Sequence, residues 1–407
     1  MTANDNFFQQ QKPAAVLKHS VLAEYTNVFT SMTGSRYGST VWVIDGYAGP
    51  GTYGDDGDGG TVEGSPLVTM RTAQQWRDSS SPRDLRAVFI EANSEYAATL
   101  RANLAPFIAD GLTAEIKDGA VEDHLSEAWA LVGDAPAVTF LDPFGVALAR
   151  ETMVDVLMRQ DRTAPSEVLL NINAEAVRRL GGWLAEDNGA IAPAQDRFRS
   201  GVERVDRFFG DTSWRRLFFD ARHERAGATA SSAAEAVVAQ YRQRIEQLTG
   251  CHSMSIPIRR TPNQAILFHL TLFYRHPVAG YKFADAASRA TRKWRQTYWD
   301  QYWDKHIDET PSLFDDAEVA AMTQAEAERR EKELDTEWVQ AVADNIRALL
   351  ASGGQIDTCE RVADILGSTL SFAGESHIRK AWDALATQGA VETRPKDKKL
   401  YKILDHR

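Results

Sequence analysis

Along the first half of the chain, short apolar runs that each stop on a polar residue alternate with stretches of helical period. Residues 41–45 (VWVID) end on Asp45 and are followed by Gly46, Gly49 and Gly51. Residues 86–92 (RAVFIEA) deliver Glu91, and residues 113–117 deliver Asp118 and Gly119. Residues 137–141 (AVTFL) end on Asp142-Pro143-Phe144-Gly145, and residues 168–172 (VLLNI) end near Asn173. Uninterrupted apolar runs of this length predict strands buried on both faces. Residues 7–32, 65–76 and 94–110 read as helices, the second with Pro66 in its tolerated first turn. Strands alternating with helices predict an α/β fold of Rossmann-like type, a parallel sheet with right-handed crossovers. Polar residues then collect at the carboxyl ends of the strands, where open sheets bind ligands.

The pattern changes beyond the fifth strand. Residues 175–250 read as a helical insert in which Arg178, Arg179, Arg197, Arg199, Arg204, Arg207, Arg215 and Arg216 alternate with Trp183, Phe198, Phe208, Phe209 and Trp214. Two readings stay open: an amphipathic insert with an ordinary core face, or a phosphate- and base-binding surface. Residues 253–259 and 265–275 predict an antiparallel hairpin that completes a mixed sheet. A helix over 283–307 carries Trp294, Tyr298, Trp299, Tyr302 and Trp303, read as core. Residues 309–316 look like a linker and 320–350 like a charged helix. Residues 358–366 and 375–388 predict two short helices, and 390–394 with 400–404 a wing around the basic stretch 395–399. Helix, helix and basic hairpin predict a winged helix-turn-helix. With His377, Arg379 and Lys380 on its second helix and Arg394, Lys396, Lys398, Lys399 and Lys402 on the wing, it serves nucleic acid or a protein partner.

Composition narrows the classes. A net charge of −11 over 407 residues argues against wholesale polyanion binding, which depends on clustered Lys and Arg. Cys251 and Cys359 have no metal-ligand or disulfide spacing, so buried thiols are expected. No apolar run approaches the ~20 residues of a membrane span, and the amino terminus lacks the charged flank and apolar core of a signal peptide. A cytoplasmic protein with no membrane association is the expectation. Residues 54–64 (GDDGDGGTVEG) suit a lid without regular structure; their aspartates lack the spacing and terminal glutamate of a calcium loop. Lys18 and His19 fit a solvated helix face, although a helix packed over the glycine turn would aim Lys18 at a carboxylate.

Acids and glycines at strand ends suit two cofactor classes. A dinucleotide site needs GxGxxG, and Gly49-Pro50-Gly51 has no third glycine in place. An S-adenosylmethionine site fits the spacing better. Asp45 with Gly46, Ala48, Gly49 and Gly51 would hold the methionyl end, and Glu91 would accept hydrogen bonds from both ribose hydroxyls. Asp118 and Gly119 would meet the adenine. Asp142-Pro143-Phe144-Gly145 resembles the D-P-F/Y-G motif of methyltransferases that act on exocyclic amines of bases. There the carboxylate and the proline carbonyl accept hydrogen bonds from the amine, and the ring stacks on the base.

KHSVLAEY, VIDGYAGPGTY, GSPL, FIEAN and LDPFG, in this order, resemble the three-Cys-motif partner (TcmP) family over roughly residues 12–310. The resemblance implies a class I methyltransferase sheet and a partner protein bearing three cysteines. It assigns Asp45, Gly49 and Gly51 to the cofactor loop, Glu91 to the ribose and Asp142 to Gly145 to the acceptor side. The turn departs from ExGxGxG and is closer to the DxFAGxG loop of DNA methyltransferases. The expected organisation is a methyltransferase-like domain over 1–310, a linker and helix over 311–352 and the winged helix over 353–407. The expected activity is methyl transfer to a base amine, with a non-catalytic or protein-modifying partner as the alternative.

Overall fold

The apolar runs lie side by side as the central strands of one sheet. The computed structural model describes residues 13–55, 61–143, 148–158, 162–184, 199–223, 227–259, 264–309, 316–353, 356–394 and 400. In chain order the first part contains α1 (Pro13–Thr33), β1 (Thr40–Asp45), β2 (Thr52–Asp55), β3 (Thr61–Glu63), α2 (Ser65–Arg77), β4 (Asp84–Glu91), α3 (Ser94–Ala109), β5 (Ala114–Asp118), α4 (Val121–Val132), β6 (Ala137–Leu141), α5 (Arg150–Leu157) and β7 (Ser166–Ile172). It continues through α6 (Ala174–Gly181), α7 (Arg199–Phe209), α8 (Ser213–His223), α9 (Ala230–Thr249), β8 (His252–Ile258) and β9 (Phe268–Tyr274).

Among the described residues the main sheet has the order β5-β4-β1-β6-β7-β9-β8. β4, β1, β6 and β7 pair in parallel, as do β4 and β5, while β9 runs antiparallel to both β7 and β8. The first five strands of the sheet therefore follow the 3-2-1-4-5 order of a Rossmann-type fold, and the expected hairpin closes it as a mixed sheet. Strand order reverses at β1, whose neighbours β4 and β6 are reached by connections leaving in opposite directions.

Side-chain alternation sorts the two faces. Trp42, Ile44, Val88, Ile90, Leu141, Val168 and Leu170 join one buried cluster with α4, α5 and the helices of the insert. Asp45, Phe140 and Asn171, one residue out of phase, point to the face packed by α1 and α2. The insert's aromatics are core. Phe208 stacks on Tyr241 with ring centroids 4.8 Å apart, and Phe209, Trp214 and Phe218 are buried beside them. Several of its arginines meet acids of the insert itself, Arg215 of α8 with Asp206 of α7, and Arg216 with Asp220 and Arg178 with Glu175 within their own helices. Arg197 and Phe198 lie outside the described residues.

The stretch expected to be an irregular lid instead forms an antiparallel pair, β2 with β3, Thr52 opposite Glu63 and Tyr53 opposite Val62. Its threonines, Tyr53 and Val62 favour extended backbone, and Gly64 N–H closes the excursion on the Gly51 carbonyl at 2.8 Å. Residues 56–60 lie outside the described residues.

The chain divides into two compact units, Met1–Arg275 and His276–Arg407. The division falls earlier than the expected boundary near residue 310, because α10 (Pro277–Glu309) packs with α11 (Asp316–Gly353) and α12 (Val362–Leu366). α13 (Glu375–Thr387) completes the second unit. Trp294 is buried as expected; the side chains of the later aromatics of α10 lie outside the described residues. His377 does not present itself to a groove. It is buried, its Nδ1 accepting from Gly374 N–H at 3.0 Å and its Nε2 facing Asp335 at 3.0 Å. No wing strand occurs among the described residues, and 395–399 with 401–407 lie outside them. Cys251 and Cys359 are buried free thiols. No helix of the described residues is long and apolar enough to cross a membrane.

Candidate functional site

β1 delivers Asp45 to the point where strand order reverses. The turn after it is anchored to both neighbours: Gly46 N–H donates to the Phe140 carbonyl of β6 and Ala48 N–H to the Ile90 carbonyl of β4, each at 3.0 Å. Gly49 and Gly51 have φ of +65° and +85°, a region that a side chain disfavours. Gly46 is small for another reason, since a Cβ there would stand 2.8 Å from Leu141 Cδ2.

Asp45 is 0% exposed. Its Oδ1 accepts the Tyr47 N–H at 3.1 Å, and its Oδ2 has no hydrogen-bond partner among the described residues. Burial pushes its carboxyl up to about 7; hydrogen bonds from Ser65 and Tyr47 work against that, and the charges of Asp142 and Glu91 add to it. Glu91, at the end of β4, bridges two backbone segments. Its Oε2 accepts from Gly49 N–H at 2.7 Å and its Oε1 from Asn93 N–H at 2.8 Å. Each oxygen keeps a lone-pair direction for a further donor. Asn93 in turn caps α3 by accepting from Glu95 and Tyr96 N–H.

Asp118 stands opposite Glu91 in the β4–β5 register. It accepts from Ser94 Oγ at 3.0 Å and lies 3.8 Å from Arg101, partly exposed at the outer end of the row. Gly119 follows at φ +149°, its N–H on the Glu91 carbonyl at 2.9 Å.

Asp142 is held from two elements. Lys18 Nζ of α1 reaches its Oδ2 at 2.5 Å, and Asn171 Nδ2 of β7 reaches its Oδ1 at 2.6 Å. Lys18 is 6% exposed and lies 5.0 Å from the Phe268 ring centroid. The solvated reading of Lys18 and His19 is thereby corrected, because α1 lays this turn against the sheet instead of water. His19 is buried and stacks on Tyr53 with centroids 5.7 Å apart. Burial first, and then the Lys18 ammonium, bring His19 down to about 4, so it is neutral at pH 7. Tyr53 holds its proton above the ordinary phenol range through burial and then the charges of Asp142, Asp45 and Glu91. The charges of the same three acids thus reach one phenol. Pro143 is buried at the end of the motif, while Phe144 and Gly145 lie outside the described residues.

The structure therefore gathers Asp45, Gly46, Ala48, Gly49, Gly51, Glu91 and Asp142 around the glycine turn, with Asp118 and Gly119 at the row's outer end. Sequence reasoning missed Asn171 and Tyr53. A polar residue inside the apolar run VLLNI was the signal for the first; the second was hidden in a glycine- and aspartate-rich stretch. A polar cleft of about 370 Å³ between α5, α8 and α9, lined by Arg150, Ser213, Gln240, Gln243 and Arg244, shares no lining residue with this cluster. Compared with protein-family models and with curated proteins, the sequence matches none.

Proposed function

We propose that the chain is an S-adenosylmethionine-dependent methyltransferase whose acceptor is an amine, in first place an exocyclic amine of a nucleic-acid base. The observation that carries the reading is the convergence of Asp45, Glu91 and Asp142 on one glycine turn at the strand-order switch, with Lys18 the buried cation among them. A surplus of negative charge repels a pyrophosphate and attracts a cation. That favours a sulfonium bearing an ammonium group over a dinucleotide. The orphaned Oδ2 of Asp45, 0% exposed, fits the same conclusion, since a cation brought close would offset the cost of its burial.

The cofactor, when bound, supplies an electrophilic methyl group on sulfur. Glu91 would hold the ribose, Asp118 the adenine edge, and the turn from Gly46 to Gly51 the methionyl end. Asp142 accepts a hydrogen bond from the acceptor amine, which directs the nitrogen lone pair away from the carboxylate; positioning of this kind supplies much of the acceleration in such transfers. The Pro143 carbonyl would receive the second amine hydrogen.

Isothermal titration with S-adenosylmethionine tests the cofactor assignment. Binding by wild type and a loss of about 10-fold or more in Glu91→Ala, the worth of hydrogen bonds to a charged group, are expected. No heat with wild type, or equal affinity in the variant, would sink it. Methyl-labelled cofactor incubated with DNA, RNA and protein then identifies the acceptor.

A second reading, a protein acceptor such as a partner with three cysteines, is favoured by one observation. Among the described residues, three bases expected to read nucleic acid are engaged with acids: Lys380 with Asp335, Arg379 with Glu375 and Arg394 with Asp383. Label in protein alone would select it.

A further inference from the structure

We propose that Lys18 and Asn171 form a clamp that fixes the Asp142 carboxylate as an anion with its free lone pairs turned toward the acceptor, making Lys18 a positioning residue of the reaction. The inference rests on the methyltransferase reading of the site and concerns how the acceptor motif is kept ready.

The geometry carries it. A terminal carboxylate torsion is soft and roughly two-fold, so an aspartate at a strand end swings unless both oxygens are engaged. Here the two oxygens are engaged by different elements, Oδ2 by Lys18 of α1 at 2.5 Å and Oδ1 by Asn171 of β7 at 2.6 Å. Rotating the group in either direction breaks a charge-assisted bond. Each oxygen has two acceptor directions, so the clamp occupies two of four and leaves the others for an amine. Both clamping residues are buried, Lys18 at 6% and Asn171 at 1% exposure, and Lys18 is seated over the Phe268 ring.

The charge around Asp142 makes the ammonium necessary. Asp45 faces it from β1, Tyr47 from the following turn, Tyr53 from β2, and His19 stands beside Lys18 on α1. His19 is neutral at pH 7 and the two phenols keep their protons, so Lys18 alone of these groups offsets the repulsion between Asp142 and Asp45. Without it the carboxylate loses both the opposite charge beside it and one of the two bonds that fix its plane. An uncharged asparagine in place of Lys18 would not supply that offset, but an arginine would.

The test follows the carboxylate itself. Protein labelled with ¹³C in aspartate side chains is titrated by NMR without cofactor, the Asp142 signal being assigned by its absence in Asp142→Asn. In Lys18→Met the Asp142 titration should move up by about one unit or more, the size of a lost opposite charge within ion-pair distance, and Lys18→Arg should largely restore it. Lys18→Gln serves if the methionine variant does not fold. An unmoved titration in a folded variant overturns the clamp, as does a shift that arginine fails to rescue. In single-turnover transfer, the acid limb of the rate profile should move by the same amount, a displacement that loss of packing alone does not produce. The two readings fail separately. If wild type binds no cofactor or labels no acceptor, the methyltransferase reading falls while the shifted titration still measures the clamp. If wild type labels its acceptor and the titration stays put, the clamp alone falls.

Discussion

At the carboxyl ends of β1, β4 and β6, Asp45, Glu91 and Asp142 lie near one glycine turn, the Lys18 ammonium meets Asp142, and a buried oxygen of Asp45 lacks a partner among the described residues. The second unit treats buried charge differently. Arg295 places two N–H groups on Glu331 at 2.8 and 2.9 Å and lies over the Trp338 ring at 4.7 Å. Lys282 meets Glu375 at 2.6 Å, and Asp335 takes both Lys380 and the His377 ring. These charges are met by partners inside the fold, so they serve architecture. At the sheet Asp45 Oδ2 is left without a partner among the described residues, the feature on which the proposed cationic cofactor draws.

The contrast can be broken most sharply at Asp142. Asp142→Asn should lower methyl transfer by about 10³-fold, in the range typical of a positioned acid–base group, while the affinity for S-adenosylmethionine in titration calorimetry stays as in wild type. Equal losses in binding and transfer would instead make Asp142 part of the cofactor pocket.

Next in size is the turn. Gly51→Ala sets a side chain at φ +85° with its Cβ 2.7 Å from Leu67 Cδ1 and 2.9 Å from Leu100 Cδ1. A loss of roughly 1–3 kcal/mol in urea unfolding is expected, as for other overpacked positions, together with weakened cofactor binding.

Asp45 gives a pH test. Its carboxyl lies at about 7 in the folded chain against 3.8 unfolded, so between about 4 and about 7 the folded state binds more protons than the unfolded one. Stability should therefore fall as pH rises through that window, by up to about 1.4 kcal/mol per unit, and level off above it. Asp45→Asn should remove this slope. Glu167, raised by burial to about 7 against Tyr25, contributes with the same sign and should remain in the variant. Saturating S-adenosylmethionine should flatten the wild-type slope, because a nearby cation favours the ionised Asp45.

The smallest effect is expected in the second unit. Lys380→Ala removes one exposed contact to Asp335 and should change the thermal midpoint by an amount equivalent to roughly 0–1 kcal/mol, with methyl transfer untouched. A loss of nucleic-acid affinity in a filter-binding assay, with stability unchanged, would show that this face works on a ligand after all.

Much of the sheet was legible because buried parallel strands leave a plain mark. VWVID, RAVFIEA, AVTFL and VLLNI are mostly apolar on both sides, and each has at or just past its end a polar residue, Asp45, Glu91, Asp142 or Asn173, that the topology brings to one edge. The acids of the site were legible for the same reason. Other features were hidden by physics that acts over distance. Nothing local distinguishes Lys18 from an ordinary helix lysine; only the docking of α1 across the sheet brings it within 2.5 Å of a residue 124 positions away. β2 and β3 were hidden by composition, since glycine and aspartate disguise strands whose pairing depends on two threonines, Tyr53 and Val62. His377 looked like a groove-reading side chain because helical spacing alone does not say which face a tertiary partner covers, and Asp335 and Gly374 cover it.

The short link between Gly64 N–H and the Gly51 carbonyl, 2.8 Å, bears on how this protein can be re-engineered. It pins both ends of the β2–β3 excursion, so the geometry of the glycine turn does not depend on the length of chain between them. The entropic cost of a longer excursion grows only logarithmically, about 0.6 kcal/mol per doubling. A longer connection between β2 and β3 would thus leave that anchor in place, and it would be carried on the strand whose Tyr53 feels the charges of Asp142, Asp45 and Glu91.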